Sequence, residues 1–124
     1  MVEHRLAPHA LAAPMHLHTR EDEYSYILEG SVGAVLSGIE ALAHAGDLLF
    51  KPRGEWHTFW NAGDTPARIL EIISPAGLED LFRLIDTSPG LLESEDFAEV
   101  AAGYGAEIDL DGTMPIVERH SLSF

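Results

Sequence analysis

Up to about residue 73, apolar and β-favouring residues come in short runs separated by turn residues, the pattern of strands rather than helices. The runs are 24–28, 34–36, 41–43, 48–50, 56–60 and 67–73, with turns at Ser37-Gly38 and Asn61-Ala62-Gly63-Asp64. Many short strands with close turns predict an all-β sandwich or barrel. The period then changes. Ser74 and Pro75 read as an N-cap and first helical residue, and Leu78, Leu81, Phe82 and Ile85 recur on one helical face that should cover an end or side of the barrel. Thr87-Ser88-Pro89-Gly90 ends this helix, and a second, acidic helix is predicted over about 94–102, closed by Gly103. Residues 114–117 read as a final edge strand or a dimer contact. The predicted layout is one domain over 1–124, with the barrel at about 5–75 and a helical extension at about 76–124.

Composition narrows the function. A chain of 124 residues suits one core without disulfides, and the absence of cysteine removes thiolate ligands and cysteine nucleophiles. The sequence shows no signal peptide and no apolar run approaching a membrane span, so a soluble, cytoplasmic protein is expected. Seven basic residues against twenty-one acidic, a net charge of −14, argue against nucleic-acid binding. The stretch from Pro89 to Glu118 contains no lysine or arginine and reads as a solvated face rather than a docking surface.

The chemistry lies in four residues. His16 and His18 alternate within a strand, so both rings face one side and can converge on one ion, whereas a helix would splay them apart. The polar stretch Thr19-Arg20-Glu21-Asp22 suits a bend that returns the Glu23 carboxylate to the histidines. Gly46-Asp47 and Pro52-Arg53-Gly54-Glu55 form reversals around a short strand, and His57 opens the next one. Three imidazoles and one carboxylate suit a divalent first-row metal with two coordination positions free. The other histidines, His4, His9, His44 and His120, read as ordinary surface or core groups.

These residues and spacings resemble the two cupin motifs, G-x5-H-x-H-x3-4-E-x6-G and G-x5-P-x-G-x2-H-x3-N. Gly46, Pro52, Gly54, His57 and Asn61 match every fixed position of the second; His16, His18, Glu23 and Gly30 match the first, with Ala10 replacing its opening glycine. Fifteen residues separate Gly30 from Gly46, the short spacing of compact single-domain cupins. The resemblance implies a double-stranded β-helix, or jelly-roll barrel, and metal ligands at His16, His18, Glu23 and His57. It also implies a cofactor of one divalent transition metal ion, whether iron, manganese, nickel, cobalt, copper or zinc.

Strand parity places Ser25 and Ile27 on the face of Glu23, and Phe59 on that of His57. Phe50 and Phe59 are the first candidates for pocket walls, with Met15 and Trp60 in reserve. Glu71, in an otherwise apolar run, either enters the pocket as an acid or base or points to solvent from an edge strand, and the solvent reading is preferred. Arg53 and Glu55 read as turn-shaping. The small cupins this chain looks like are described as quercetinase-like or simply as conserved barrels. The leading expectation is therefore a metal-dependent oxygenase of dioxygenase type for a small phenolic or enolisable compound, with Glu23 as ligand and catalytic proton shuttle. Alternatives are a Lewis-acid isomerase, epimerase or decarboxylase, and a non-catalytic small-molecule binder. A homodimer formed through edge strands is also expected.

Overall fold

A computed structural model describes residues 1–123. Eight strands come first: β1 (Val2–Leu6), β2 (Met15–His18), β3 (Asp22–Glu29), β4 (Ser31–Leu36), β5 (Ile39–His44), β6 (Leu48–Lys51), β7 (His57–Asn61) and β8 (Ala67–Ser74). Helices α1 (Glu79–Thr87) and α2 (Phe97–Gly103), strand β9 (Ala106–Asp109) and helix α3 (Leu110–His120) follow. The strands form two antiparallel sheets, ordered β1-β8-β3-β6 and β5-β4-β7-β2-β9. This is the all-β architecture of a double-stranded β-helix with short helices. No helix among the described residues is long and apolar enough to cross a membrane.

Local chemistry sets the turns that fix register. Ser37 and Gly38, both at positive φ (51° and 79°), join β4 to β5 so that Leu36 faces Ile39, the conformation a two-residue hairpin of primed type demands. Asn61 holds the turn after β7 with its amide. Its Nδ2 donates to the carbonyls of Leu6 (3.1 Å) and Thr65 (2.7 Å), and its Oδ1 accepts from the Gly63 N–H. Between the sheets lies a core of Ile27, Val32, Ala34, Ala43, Phe59, Ala67 and Ile69. A second cluster, Met15, Val35, Trp60, Ile116 and Leu122, seals α3 to the five-stranded sheet. Gly33 is required there because any Cβ at that position would overlap the Trp60 indole.

Two expectations are corrected after residue 73. Ser74 does not cap a helix: its backbone is still paired with Asp22 in the sheet, and α1 starts only at Glu79, whose carboxylate accepts the Gly77 N–H. The predicted face holds, with Leu78 and Leu81 buried. Residues 114–117 form no strand. They lie inside α3, whose start is fixed by the Asp109 carboxylate accepting the Gly112 N–H at 2.9 Å. The last strand is instead β9, which pairs with β2 from Met15 to His18. The α3 residue Thr113 accepts the Met15 N–H at 2.8 Å and donates to the Asp109 carbonyl, so the C-terminal segment braces the strand that carries two histidines.

Candidate metal centre

Pairing between β2 and β7 sets His16 opposite His57, and parity puts His18 on the same side as His16. The three ring centroids lie 4.3 to 5.5 Å apart, and one ligand nitrogen from each ring lies within 4.8 Å of the others. Backbone carbonyls fix the tautomers of two rings. The Nδ1–H of His16 donates to Pro14 at 2.6 Å and that of His57 to Glu55 at 3.2 Å, leaving both Nε2 lone pairs for the centre. Gly54, at φ +77°, donates its N–H to the His18 carbonyl at 2.7 Å, so the reversal before His57 is tied directly to the first histidine strand.

Glu23 reaches the same centre from the opposite sheet. Its Oε1 lies 2.8 Å from His18 Nε2 and its Oε2 lies 3.8 Å from His57 Nε2. The residues fit a divalent metal ion on a structural criterion. His57 Nε2 is buried with no hydrogen-bond partner, the arrangement expected of a nitrogen reserved for a ligand bond.

Behind Glu23 stands Lys51, fully buried at 1% exposure. Its ammonium lies 3.1 Å from Glu23 Oε2, contacts Glu71 Oε1 still more closely, and sits 4.3 Å above the Phe59 ring centroid. Ser25 completes the chain by donating to Glu71 Oε2 at 2.8 Å. Register makes this possible, because Glu23 faces Lys51 across β3 and β6 while Ser25 faces Glu71 across β3 and β8.

Burial dominates the titration of these groups. Loss of solvent pushes the His16 imidazole down to about 4, with help from nearby His18, and the His57 imidazole down to about 2, with help from His16. Burial alone would raise Glu23, yet Lys51 and His18 outweigh it and hold this carboxyl below its ordinary range. Glu71 goes the other way: burial, joined by the charge of Glu23, raises it to about 7 against the pull of Lys51. At neutral pH the site therefore presents His16 and His57 uncharged beside an ionised Glu23.

A pH dependence follows for the chelator-treated protein. Lowered histidine pKa values make the unfolded chain take up protons below 6.5 that the folded site refuses until about 4 or 2. Raised Glu71 acts oppositely, since its folded form holds a proton up to about 7 that the unfolded form releases above 4.5. Between 4.5 and 6.5 two histidines outweigh one carboxyl, and His4, also lowered chiefly by burial, adds to them. Stability should fall as pH falls through that window. A melting temperature that stays flat or rises on acidification would contradict neutral, buried imidazoles.

Of the pocket residues expected from sequence, Ser25, Phe59 and Glu71 stand beside the centre, and Ile27 is fully buried in the inter-sheet core with Phe59. Two readings are corrected. Phe50 is no pocket wall: it is 47% exposed and stacks on Tyr24 at 4.8 Å, because pairing across β3 and β6 gives it the outward parity of Tyr24. Glu71 does not face solvent; it is 1% exposed, on a strand flanked by both β1 and β3. Met15 and Trp60 belong to the cluster under α3. Arg53 forks onto Asp22, with Nε and Nη2 each 3.1 Å from the carboxylate, and Glu55 contacts Ser37, so both residues shape loops.

Sequence reasoning gave no role to Lys51 or His4. Lys51 shares inward parity with Leu49, and a lysine at an inward position is a signal available from alternation once register is known. His4 faces inward between Phe59 and Phe82, with centroids 5.8 and 5.5 Å away. Its alternation with exposed Glu3 and Arg5 was the corresponding signal.

Comparison with known proteins agrees with this geometry. The family model described as Cupin domain matches residues 2–73. The chain is 35% identical over 74 residues to the tetracenomycin polyketide synthase protein TcmJ of Streptomyces glaucescens, covering 60% of this chain and 50% of that protein. It is 30% identical over 103 residues to the oxidoreductase iacF of Pestalotiopsis fici (strain W106-1 / CGMCC3.15140), covering 82% of this chain and 47% of that protein. It thus spans about half the length of these curated relatives. A crystal structure described as a predicted oxalate decarboxylase from Thermotoga maritima superposes with a TM-score of 0.55 at 32% identity, over 57% of this chain and 61% of that one.

Proposed function

The chain belongs to the cupin family, and from that premise we propose that it is a metal-dependent oxygenase of dioxygenase type acting on a small phenolic or enolisable compound. One observation carries this reading: three imidazoles and an ionised carboxylate converge from two sheets, with the His57 Nε2 left without a hydrogen-bond partner. Two relatives add support by name, one an oxidoreductase and the other a protein of polyketide synthesis. Poly-β-carbonyl compounds enolise readily, which suits a site built to bind an oxygen anion.

His16, His18, His57 and Glu23 would hold the ion. When bound there, a divalent transition metal supplies Lewis acidity toward a substrate oxygen and a coordination position for dioxygen. The protein's own part is proton handling and shielding. Glu23 accepts the proton of the substrate hydroxyl, the O–H electron pair remaining on oxygen. Lys51 steadies the other carboxylate oxygen from 3.1 Å. Glu71, contacted by the Lys51 ammonium and accepting a hydrogen bond from the Ser25 hydroxyl, holds that ammonium beside Glu23. Phe59 and Ile27, packed in the inter-sheet core, give the centre apolar surroundings that keep bulk water away.

A second reading is favoured by the structural likeness to a protein described as a predicted oxalate decarboxylase: the same centre as a Lewis acid alone, for decarboxylation or isomerisation. Oxygen-electrode assays of the metal-loaded protein with flavonols and other enolisable compounds separate the two. Uptake that requires both substrate and Glu23 supports the oxygenase. Product formed equally well without oxygen supports the Lewis acid, and a substrate-induced thermal shift without product reduces the protein to a binder.

A further inference from the structure

The chain's only lysine, Lys51, places its ammonium in the dry interior, with no side-chain surface left to solvent. An ammonium has three N–H donors, and three partners surround this one. Glu23 Oε2 lies at 3.1 Å, Glu71 Oε1 is in closer contact still, and the Phe59 ring centroid lies 4.3 Å away. Glu71 is held in turn by the Ser25 hydroxyl, which donates to its Oε2 at 2.8 Å. Register across β3 and β6 sets Lys51 directly opposite Glu23, so the contact is built into the sheet. The two oxygens of Glu23 are thereby divided. Oε1 lies 2.8 Å from His18 Nε2, whereas Oε2 is tied to the ammonium and stands back, 3.8 Å from His57 Nε2.

We propose that Lys51 is a positioning residue that confines Glu23 to a bound ion through Oε1 alone. This role presupposes the metal centre described above and fixes how many of its positions stay open. Carboxylates bind metal ions through one oxygen or through both. With three imidazoles on an octahedral ion, a carboxylate bound through both oxygens leaves one position, and a carboxylate bound through one leaves two. An oxygenase of the proposed kind needs both, one for a substrate oxygen and one for dioxygen. A Lewis acid acting alone needs one.

Swinging Oε2 to the ion would strip a charge-assisted hydrogen bond from an ammonium sealed away from solvent, and a buried donor left unmet is costly. Retreat of the ammonium is blocked as well, because Glu71 and Phe59 hold its other sides. Without Lys51 the balance reverses. No other lysine or arginine among the described residues contacts Glu23, so Oε2 would have only the ion to turn to, and the second bond would form. A neutral side chain at position 51 therefore changes the coordination number even where the three histidines stay in place.

Water-proton relaxation with manganese(II) as the probe counts the water molecules that exchange on the ion. Loaded wild type should show two. Lys51→Met should show one, with the inner-sphere relaxation falling about twofold, while Glu71→Gln, which disturbs the same network but keeps the ammonium, should match wild type. Should Lys51→Met fail to fold, Lys51→Met/Glu71→Gln takes its place, since it lacks the ammonium without stranding a second anion, and one water is again expected. Two waters in a Lys51 variant, or one water in wild type or in Glu71→Gln, overturns the proposal. So does loss of manganese from both Lys51 variants, which would mean that the lysine builds the site rather than dividing the Glu23 carboxylate. A wild type that holds no ion overturns the metal centre itself, so the two failures are distinguishable.

Discussion

Replacing Lys51 by Met should cost about 3–5 kcal/mol of folding stability, the usual cost of removing one partner from a buried ion pair. The ammonium lies between two carboxylates that are themselves buried, Glu23 and Glu71, and no other lysine or arginine contacts either of them among the described residues. Without it, two carboxyl groups face each other in a medium that cannot screen them. Methionine fills the volume and keeps the contact with Phe59, so the loss reports charge rather than a cavity. On a domain whose total stability is of order 5–15 kcal/mol, the melting temperature should drop by roughly 10–20 °C. Adding Glu71→Gln should restore part of the loss, because the second anion disappears while Ser25 keeps a hydrogen-bond partner. Calorimetry on the three proteins decides. A Lys51→Met protein melting with wild type, or a double variant less stable than the single, contradicts the ion network.

Glu23→Gln should weaken metal binding by more than the roughly 10–100-fold that follows loss of a supporting residue outside the ligands. The amide is nearly isosteric, so the strands carrying the histidines have no steric cause to move. What changes is charge: the one ionised group facing His18 and His57 becomes a neutral dipole, and Lys51 loses one of its two counter-charges. Stability should fall less than for Lys51→Met, since Glu71 still neutralises the ammonium. Isothermal titration with cobalt or zinc measures the affinity. Unchanged affinity would mean that the three imidazoles hold the ion and that Glu23 serves only Lys51.

The histidines were legible because their position depends on local rules alone. His16 and His18 share a strand face by parity, and glycine and proline fix the reversal before His57. Phe50, Glu71 and Lys51 depended on register between strands distant in sequence. In an ordinary barrel, hydropathy alternation reveals which parity points inward. Here the outer parity of β3, β6 and β8 is apolar too, so Leu70 and Ile72 concealed the inward turn of Glu71, and Phe50 seemed as good a wall as Phe59. Helix α3 escaped for another reason. Gly112 and Pro115 argue against a helix by propensity; Gly112 lies in the first turn, where the Asp109 cap accepts its N–H, whereas Pro115 sits inside the helix, between the buried Thr113 and Ile116 that pack it onto the sheet.

The centre itself is tested most directly by metal content. Protein stripped with chelator, dialysed against one divalent metal and assayed by elemental analysis should hold one ion per chain, and His57→Ala prepared in parallel should hold close to none. Equal metal in the two proteins, or none in wild type with any first-row ion, would contradict a site formed by His16, His18, Glu23 and His57.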